Sequence, residues 1–195
     1  GNWSTGVAPT ATDDVTIPDV ANDPVISTAV TINDISLAAG ATLTVANNGV
    51  LTLNGNLNNS GAVTIQHGGN FLQGPGSTYG GSGTFKVEKN ITNTAHGYRD
   101  VSSPVITTTA DLADDFSVFG QNGVQCWYSY SPYPNVQVYN EALSIVNGNY
   151  YEGWLSHTGT GNTLSPLQGV AIRTYAGAPF TLDFTGTPHN GPYSR

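Results

Sequence analysis

The chain has 195 residues, of which 38% are apolar and only 9% charged, and its net charge is −8. That length holds one large domain or two modest ones, and the apolar share is too high for a disordered chain. No Lys or Arg occurs before Lys86, which argues against binding to nucleic acid or to an anionic membrane surface, and no apolar run has the length of a bilayer span.

Frequent Gly (24) and Pro (11), with abundant Asn, Thr and Ser, predict an all-β protein with many tight turns. A chain that opens at Gly1 and contains no Met is expected to have lost its original start by processing, proteolysis or trimming. Residues 1–29 read as an entry segment, in which Trp3 and a strand at Val15-Thr16-Ile17 cover the first coil of a repeat that starts at Val30. Pro18, Pro24 and the acidic and amide residues between them read as a loop.

From Val30 to Val87 three short patterns recur in a fixed order. Val30-Thr31-Ile32 returns as Leu51-Thr52-Leu53 and again as Phe71-Leu72-Gln73. Ile35-Ser36-Leu37 returns as Gly55-Asn56-Leu57 and Ser77-Thr78-Tyr79, and Leu43-Thr44-Val45 as Val63-Thr64-Ile65 and Phe85-Lys86-Val87. Each recurrence comes after roughly 20 residues, the period of a solenoid coil. Such self-similarity with apolar–polar–apolar triplets predicts a short three-sided β-helix of about three rungs. Gly40, Gly49, Gly61, Gly69 and Gly83 precede strands and are expected to supply positive φ at corners; Asn54, Asn47-Asn48 and Asn58-Asn59 mark further corners. The inward set is Val30, Ile32, Leu37, Leu43, Val45, Leu51, Leu53, Leu57, Val63 and Ile65. Phe71, Tyr79 and Phe85 plug the last coil.

The period ends near Ile91. Candidate strands follow at Tyr98–Ser102, Gln125–Tyr130, Val136–Tyr139, Tyr150–Leu155, Gly169–Tyr175 and Pro179–Phe184, with a helical turn over Asp111–Phe119. Antiparallel strands at this spacing predict a jelly-roll-like β-sandwich. The domains are therefore expected at 1–90 and 91–195. With about six strands, the sandwich is expected to need completion by the rest of a longer polypeptide or by a partner chain adding a strand.

The residues that carry chemistry are few. Cys126 is the single cysteine and reads as a buried small apolar residue rather than a nucleophile. Asp114-Asp115 and Asp13-Asp14 are adjacent carboxylate pairs. Asp114 and Asp115 are candidates for a structural Ca²⁺ site, against the plainer reading of Asp111 and Asp114 as helix caps. Glu88, Glu141 and Glu152 sit in no glycosidase-like pairing, and His67, His96, His157 and His189 have no metal-ligand spacing, so no enzyme is expected. Outward Thr residues stack only two deep (Thr31 on Thr52, Thr44 on Thr64), too few for an ice-binding array. The densest aromatic run includes Trp127, Tyr128, Tyr130 and Tyr133, followed by Tyr139, Tyr150, Tyr151 and Trp154. Trp127, Tyr128, Tyr130 and Tyr133 are the candidate carbohydrate contacts, weighed against a sandwich core.

Asn2-Trp3-Ser4, Asp13-Asp14-Val15-Thr16-Ile17-Pro18, the run Gly40–Val45 and the run Leu53–Gly61 resemble the opening of many surface proteins of Bacteroidota. Tyr98–Val105 and Phe184–Pro188 resemble elements of the next domain in those proteins. The resemblance implies a large protein exported by the type 9 secretion route and displayed on the cell surface, with an adhesion-like role; the sorting domain of that family is not visible in this sequence. The sequence thus points to a non-enzymatic extracellular structural or adhesive module of a larger bacterial surface protein. The alternative is a carbohydrate-binding accessory module of a polysaccharide-degrading system, with surface glycans as partners.

Overall fold

The solenoid begins earlier than the repeat suggests. In the computed structural model, which describes residues 3–92, 97–126, 132–143, 150–174 and 179–190 and all their side chains except those of Tyr150 and Tyr151, strands β1 (Val15–Ile17), β2 (Val25–Ile26) and β3 (Ala29–Ile32) form a first turn. The second turn is β4 (Ile35–Leu37), β5 (Thr42–Val45) and β6 (Val50–Leu53). The third is β7 (Leu57–Asn59), β8 (Ala62–Ile65) and β9 (Asn70–Gln73). A fourth starts with β10 (Tyr79–Gly80) and β11 (Thr84–Ile91). The solenoid therefore has about four turns, not three. Val15 pairs in parallel with Ile35 and Ile17 with Leu37, so the expected cover is itself a coil. Trp3, expected to cover the first coil, is 38% exposed.

Two of the three predicted ladders have the predicted register. Val30–Leu51–Phe71 and Ile32–Leu53–Gln73 stack on one side, and Leu43–Val63–Phe85 and Val45–Ile65–Val87 on another. The third is displaced at one step: Leu57 lies over Ile35, not over Leu37, and Tyr79 lies over Leu57. That shift brings Asn59 over Leu37, into the interior, where it is fully buried. Its amide is satisfied there. Nδ2 donates to the Thr84 carbonyl (2.7 Å) and to the Tyr79 hydroxyl (3.1 Å), and Oδ1 accepts from the Gly61 N–H (3.0 Å). Asn59 is thus no corner residue, whereas Asn48 is one, at φ 66°.

The inward apolar residues form continuous files spaced by about 4.8 Å from turn to turn. Each fully buried Leu, Ile or Val contributes about 1.5–3 kcal/mol, and Leu51, Leu53, Val45 and Ala41 have no exposed surface. Where the third turn meets the fourth, the rings of Phe71 and Phe85 lie 5.3 Å apart, and Tyr79 meets Phe85 edge-on at 5.9 Å. Of the five corner glycines, only Gly40 has the expected positive φ (86°). Gly61 is required for a different reason: a Cβ there would lie 2.1 Å from the Ala41 carbonyl oxygen of the turn beneath.

The chain forms two compact units, one made of residues up to Lys89 together with those from Thr185, the other of Asn90–Phe184. The second unit is also β-built, and the chain as a whole is all-β. It contains β12 (Gly97–Val101), β13 (Val105–Thr108), a short helix α1 (Thr109–Asp115), β14 (Val136–Tyr139), β15 (Trp154–Ser156), β16 (Thr163–Leu164), β17 (Val170–Thr174) and most of β18 (Phe180–Thr185). An antiparallel sheet runs in the order β12-β17-β14-β15, and β13 pairs with β16. Val136, Ile172 and Val170 form its buried face. The predicted strand at Tyr150–Leu155 starts as a 3₁₀ turn over Tyr150–Gly153, where a Cβ on Gly153 would strike the Tyr139 ring at 2.6 Å. After β18 the chain rejoins the first unit with β19 (Thr187–Pro188). Gly186 N–H donates to the Phe85 carbonyl (3.0 Å), and Asn190 Nδ2 to the carbonyls of Ser77 (2.7 Å) and Gly74 (3.3 Å), so this tail lies on the fourth turn.

Candidate functional site

Alternation along a strand sends Tyr98, Asp100, Arg173, Ala171, Gln137 and Tyr139 to one face of the four-stranded sheet, because Tyr98 stands opposite Arg173, Asp100 opposite Ala171, and Ala171 opposite Gln137. Two aromatic groupings lie on this face. At one corner the Arg173 guanidinium sits over the Tyr98 ring, 5.6 Å from its centroid, a cation–π geometry. The Tyr98 hydroxyl accepts from Gln137 Nε2 (3.1 Å), which also donates to the Pro134 carbonyl (2.9 Å). Gln137 is buried, yet Tyr98 is 47% exposed. Tyr98 is therefore half-exposed, with its hydroxyl held by a buried amide and the Arg173 guanidinium over its ring. Diagonally across the face, Tyr139 meets Trp154 edge-on at 5.2 Å.

Tyr133 joins the first grouping. Its hydroxyl donates to the Cys126 carbonyl (3.4 Å). Burial, with Tyr98 and Cys126 adding to it, pushes its phenol up to about 12. Burial likewise pushes the Cys126 thiol up to about 11, so Cys126 stays protonated at neutral pH. Trp127, Tyr128 and Tyr130 lie outside the described residues. Tyr98 and Arg173, which sequence reasoning did not single out as contacts, supply the half-exposed aromatic and the cation of this face. The available signal was Tyr98-Arg99-Asp100, a clustered aromatic, cation and anion on a predicted strand of a chain with only five Lys and Arg.

Beside Arg173 lies a cleft of about 200 Å³ walled by Phe116, Phe119 and Phe180. Asn135, almost fully buried, fixes one wall by accepting from the Phe119 N–H (2.9 Å) and donating to the Ser117 carbonyl (2.8 Å).

Of the candidate carboxylates, Asp13, Asp14 and Asp115 each accept from a backbone N–H. Asp115 accepts from the Asp183 N–H on β18 (2.7 Å), and burial, then nearby Asp183, Asp114 and Asp111, push its carboxyl up to about 6 despite that bond. Asp114 is its exposed neighbour at the end of α1. The helix is capped by Thr108, whose hydroxyl accepts from the Ala110 N–H, and not by Asp111 or Asp114. Asp13 accepts from Thr10 N–H (2.7 Å) and hydroxyl (2.8 Å), which hold its carboxyl below the usual range. Asp14 starts a vertical series: its Oδ1 accepts from the Asp34 N–H (3.3 Å), Asp34 from the Asn56 N–H (2.5 Å), and Asn56 from the Thr78 N–H (3.0 Å). Side chain binds backbone from each turn to the next. Among the described residues no three of His, Cys, Asp and Glu are grouped to hold a metal ion, and no helix is long and apolar enough to cross a membrane.

A family model described as a domain of unknown function (DUF8693) matches residues 1–195. No curated protein and no solved structure matches the chain.

Proposed function

This chain belongs to the DUF8693 family, and we propose that it is a non-enzymatic structural or adhesive module of a larger bacterial surface protein, working outside the cell. The observation that carries this reading is the use of its acids. Asp13, Asp14, Asp23, Asp34 and Asp115 each accept from a backbone N–H. Such carboxylates fasten turns and strand edges; they are not disposed as an acid–base pair across a substrate. The resemblance to Bacteroidota surface proteins supports the location and the type 9 route, and the rest of the same polypeptide or a partner chain is the proposed neighbour. Antibodies raised against the chain should label intact, unpermeabilised cells of the source bacterium. Labelling only after permeabilisation would overturn the extracellular reading.

A second reading is favoured by one specific observation, the half-exposed Tyr98 ring anchored by buried Gln137 beside Arg173. On that reading the module binds carbohydrate, as an adhesin or as an accessory to polysaccharide breakdown. A glycan array probed with the whole chain tests it: reproducible binding that is lost in Tyr98→Ala supports it, and a blank array rejects it.

A further inference from the structure

We infer that the Tyr98 corner is a subsite for an uncharged pyranose ring, not for a uronic acid or a sulfated sugar. This inference rests on the carbohydrate-binding reading and names the class of sugar. Three observations carry it. First, the Tyr98 ring is presented in a fixed pose, because Gln137 holds its hydroxyl while Arg173 lies over the ring, and 47% of the residue still meets solvent. A pre-oriented aromatic surface binds the C–H face of a pyranose without the entropy cost of freezing a loose side chain.

Second, the polar groups around the ring have opposite signs. Asp100 is exposed, shares the face of Tyr98 further along β12, and lies diagonal to Arg173 across the strand pair. A hydroxyl donates and accepts, so vicinal hydroxyls match a carboxylate acceptor beside a guanidinium donor. A carboxylate or sulfate ligand would gain from Arg173 but be repelled by Asp100. Third, the chain carries a net charge of −8, so its long-range field slows the approach of polyanions. The cation is also occupied in part by the ring it covers.

The test is titration calorimetry of the whole chain with neutral oligosaccharides (cellohexaose, mannohexaose, xylohexaose) and with hexagalacturonate, at low and high salt. The expected result is binding of at least one neutral oligosaccharide, with little salt dependence and hexagalacturonate weaker by about tenfold or more. Tyr98→Ala should abolish that binding, Tyr98→Phe should retain the stacking surface and most of the affinity, and Asp100→Asn should narrow the gap between neutral and acidic ligands. Circular dichroism and melting of each variant separate lost binding from lost folding. Tighter binding of hexagalacturonate that still depends on Tyr98 would overturn this inference and leave the carbohydrate reading standing. Absence of binding to every oligosaccharide, or binding unchanged in a folded Tyr98→Ala protein, would reject both.

Discussion

Leu167 stands in the turn closed by the Gln168 N–H on the Ser165 carbonyl (3.1 Å), at φ 63° and 67% exposed. An L-residue with a bulky side chain pays about 1–2 kcal/mol for left-handed geometry, and here no burial offsets that cost. Leu167→Gly should therefore raise stability by about 1 kcal/mol, the relief of strain outweighing glycine's greater chain entropy; denaturant unfolding would show it as a higher midpoint at unchanged slope. Asp115 gives a pH signature. Its carboxyl is raised to about 6 in the folded chain, so between the ordinary carboxylate range and pH 6 the folded state holds a proton that the unfolded state has released. Stability then falls as pH rises through that window and levels off above it. Asp115 is partly exposed, so after screening by solvent the effect is on the order of 1 kcal/mol. Asp115→Asn keeps an oxygen to accept the Asp183 N–H. The variant should gain on the wild type as pH rises from 4.5 to 7, and a constant difference across that range would refute this account.

Among the elements, β7 explains both the error in the predicted register and what the register depends on. Matching Leu57 to Leu37 places apolar on apolar and keeps the repeat even. The actual step runs from Ile35 to Leu57, longer than the repeat implies, and it carries a polar side chain inward. No apolarity pattern selects that alignment, because its justification is Asn59's bonds to Thr84 and Gly61, residues of neighbouring strands and corners that only the folded coil brings close. The ladders through Leu51 and Val63 are legible in the sequence because their inward positions are apolar at each step but the one from Leu53 to Gln73. The first turn escapes the pattern for a related reason: Pro18 and Pro24 read as loop punctuation, while Val15-Thr16-Ile17 alone foreshadows Ile35-Ser36-Leu37. Asn59→Leu tests the assignment sharply. On apolarity alone it should stabilise; by orphaning the Gly61 N–H and Thr84 carbonyl it should cost about 2–4 kcal/mol, read from thermal or denaturant unfolding. As for the site, an aromatic run is visible in the sequence, but Tyr98 and Arg173 lie on strands far apart in the chain, and their pairing follows from strand order alone.

On the scale of the whole molecule, the tail beyond Phe184 belongs to the unit that the chain had left at Lys89. Its bonds to Phe85, Ser77 and Gly74 attach it to the fourth turn. Ending the chain after Phe184 should leave the earlier turns folded but loosen this last one. Hydrogen exchange of the amides in β10 and the first half of β11 should then speed up, while those in β5 and β6 stay protected. Equal acceleration throughout would mean that the coils melt as one.

That return path also decides how the molecule answers a pull. Tension applied near Trp3 and near Asn190 is met by the contacts that hold the tail to the last coil, Gly186 on Phe85 and Asn190 on Ser77 and Gly74. Pulled in this way, the solenoid is loaded through its last coil, on which the tail acts as a latch.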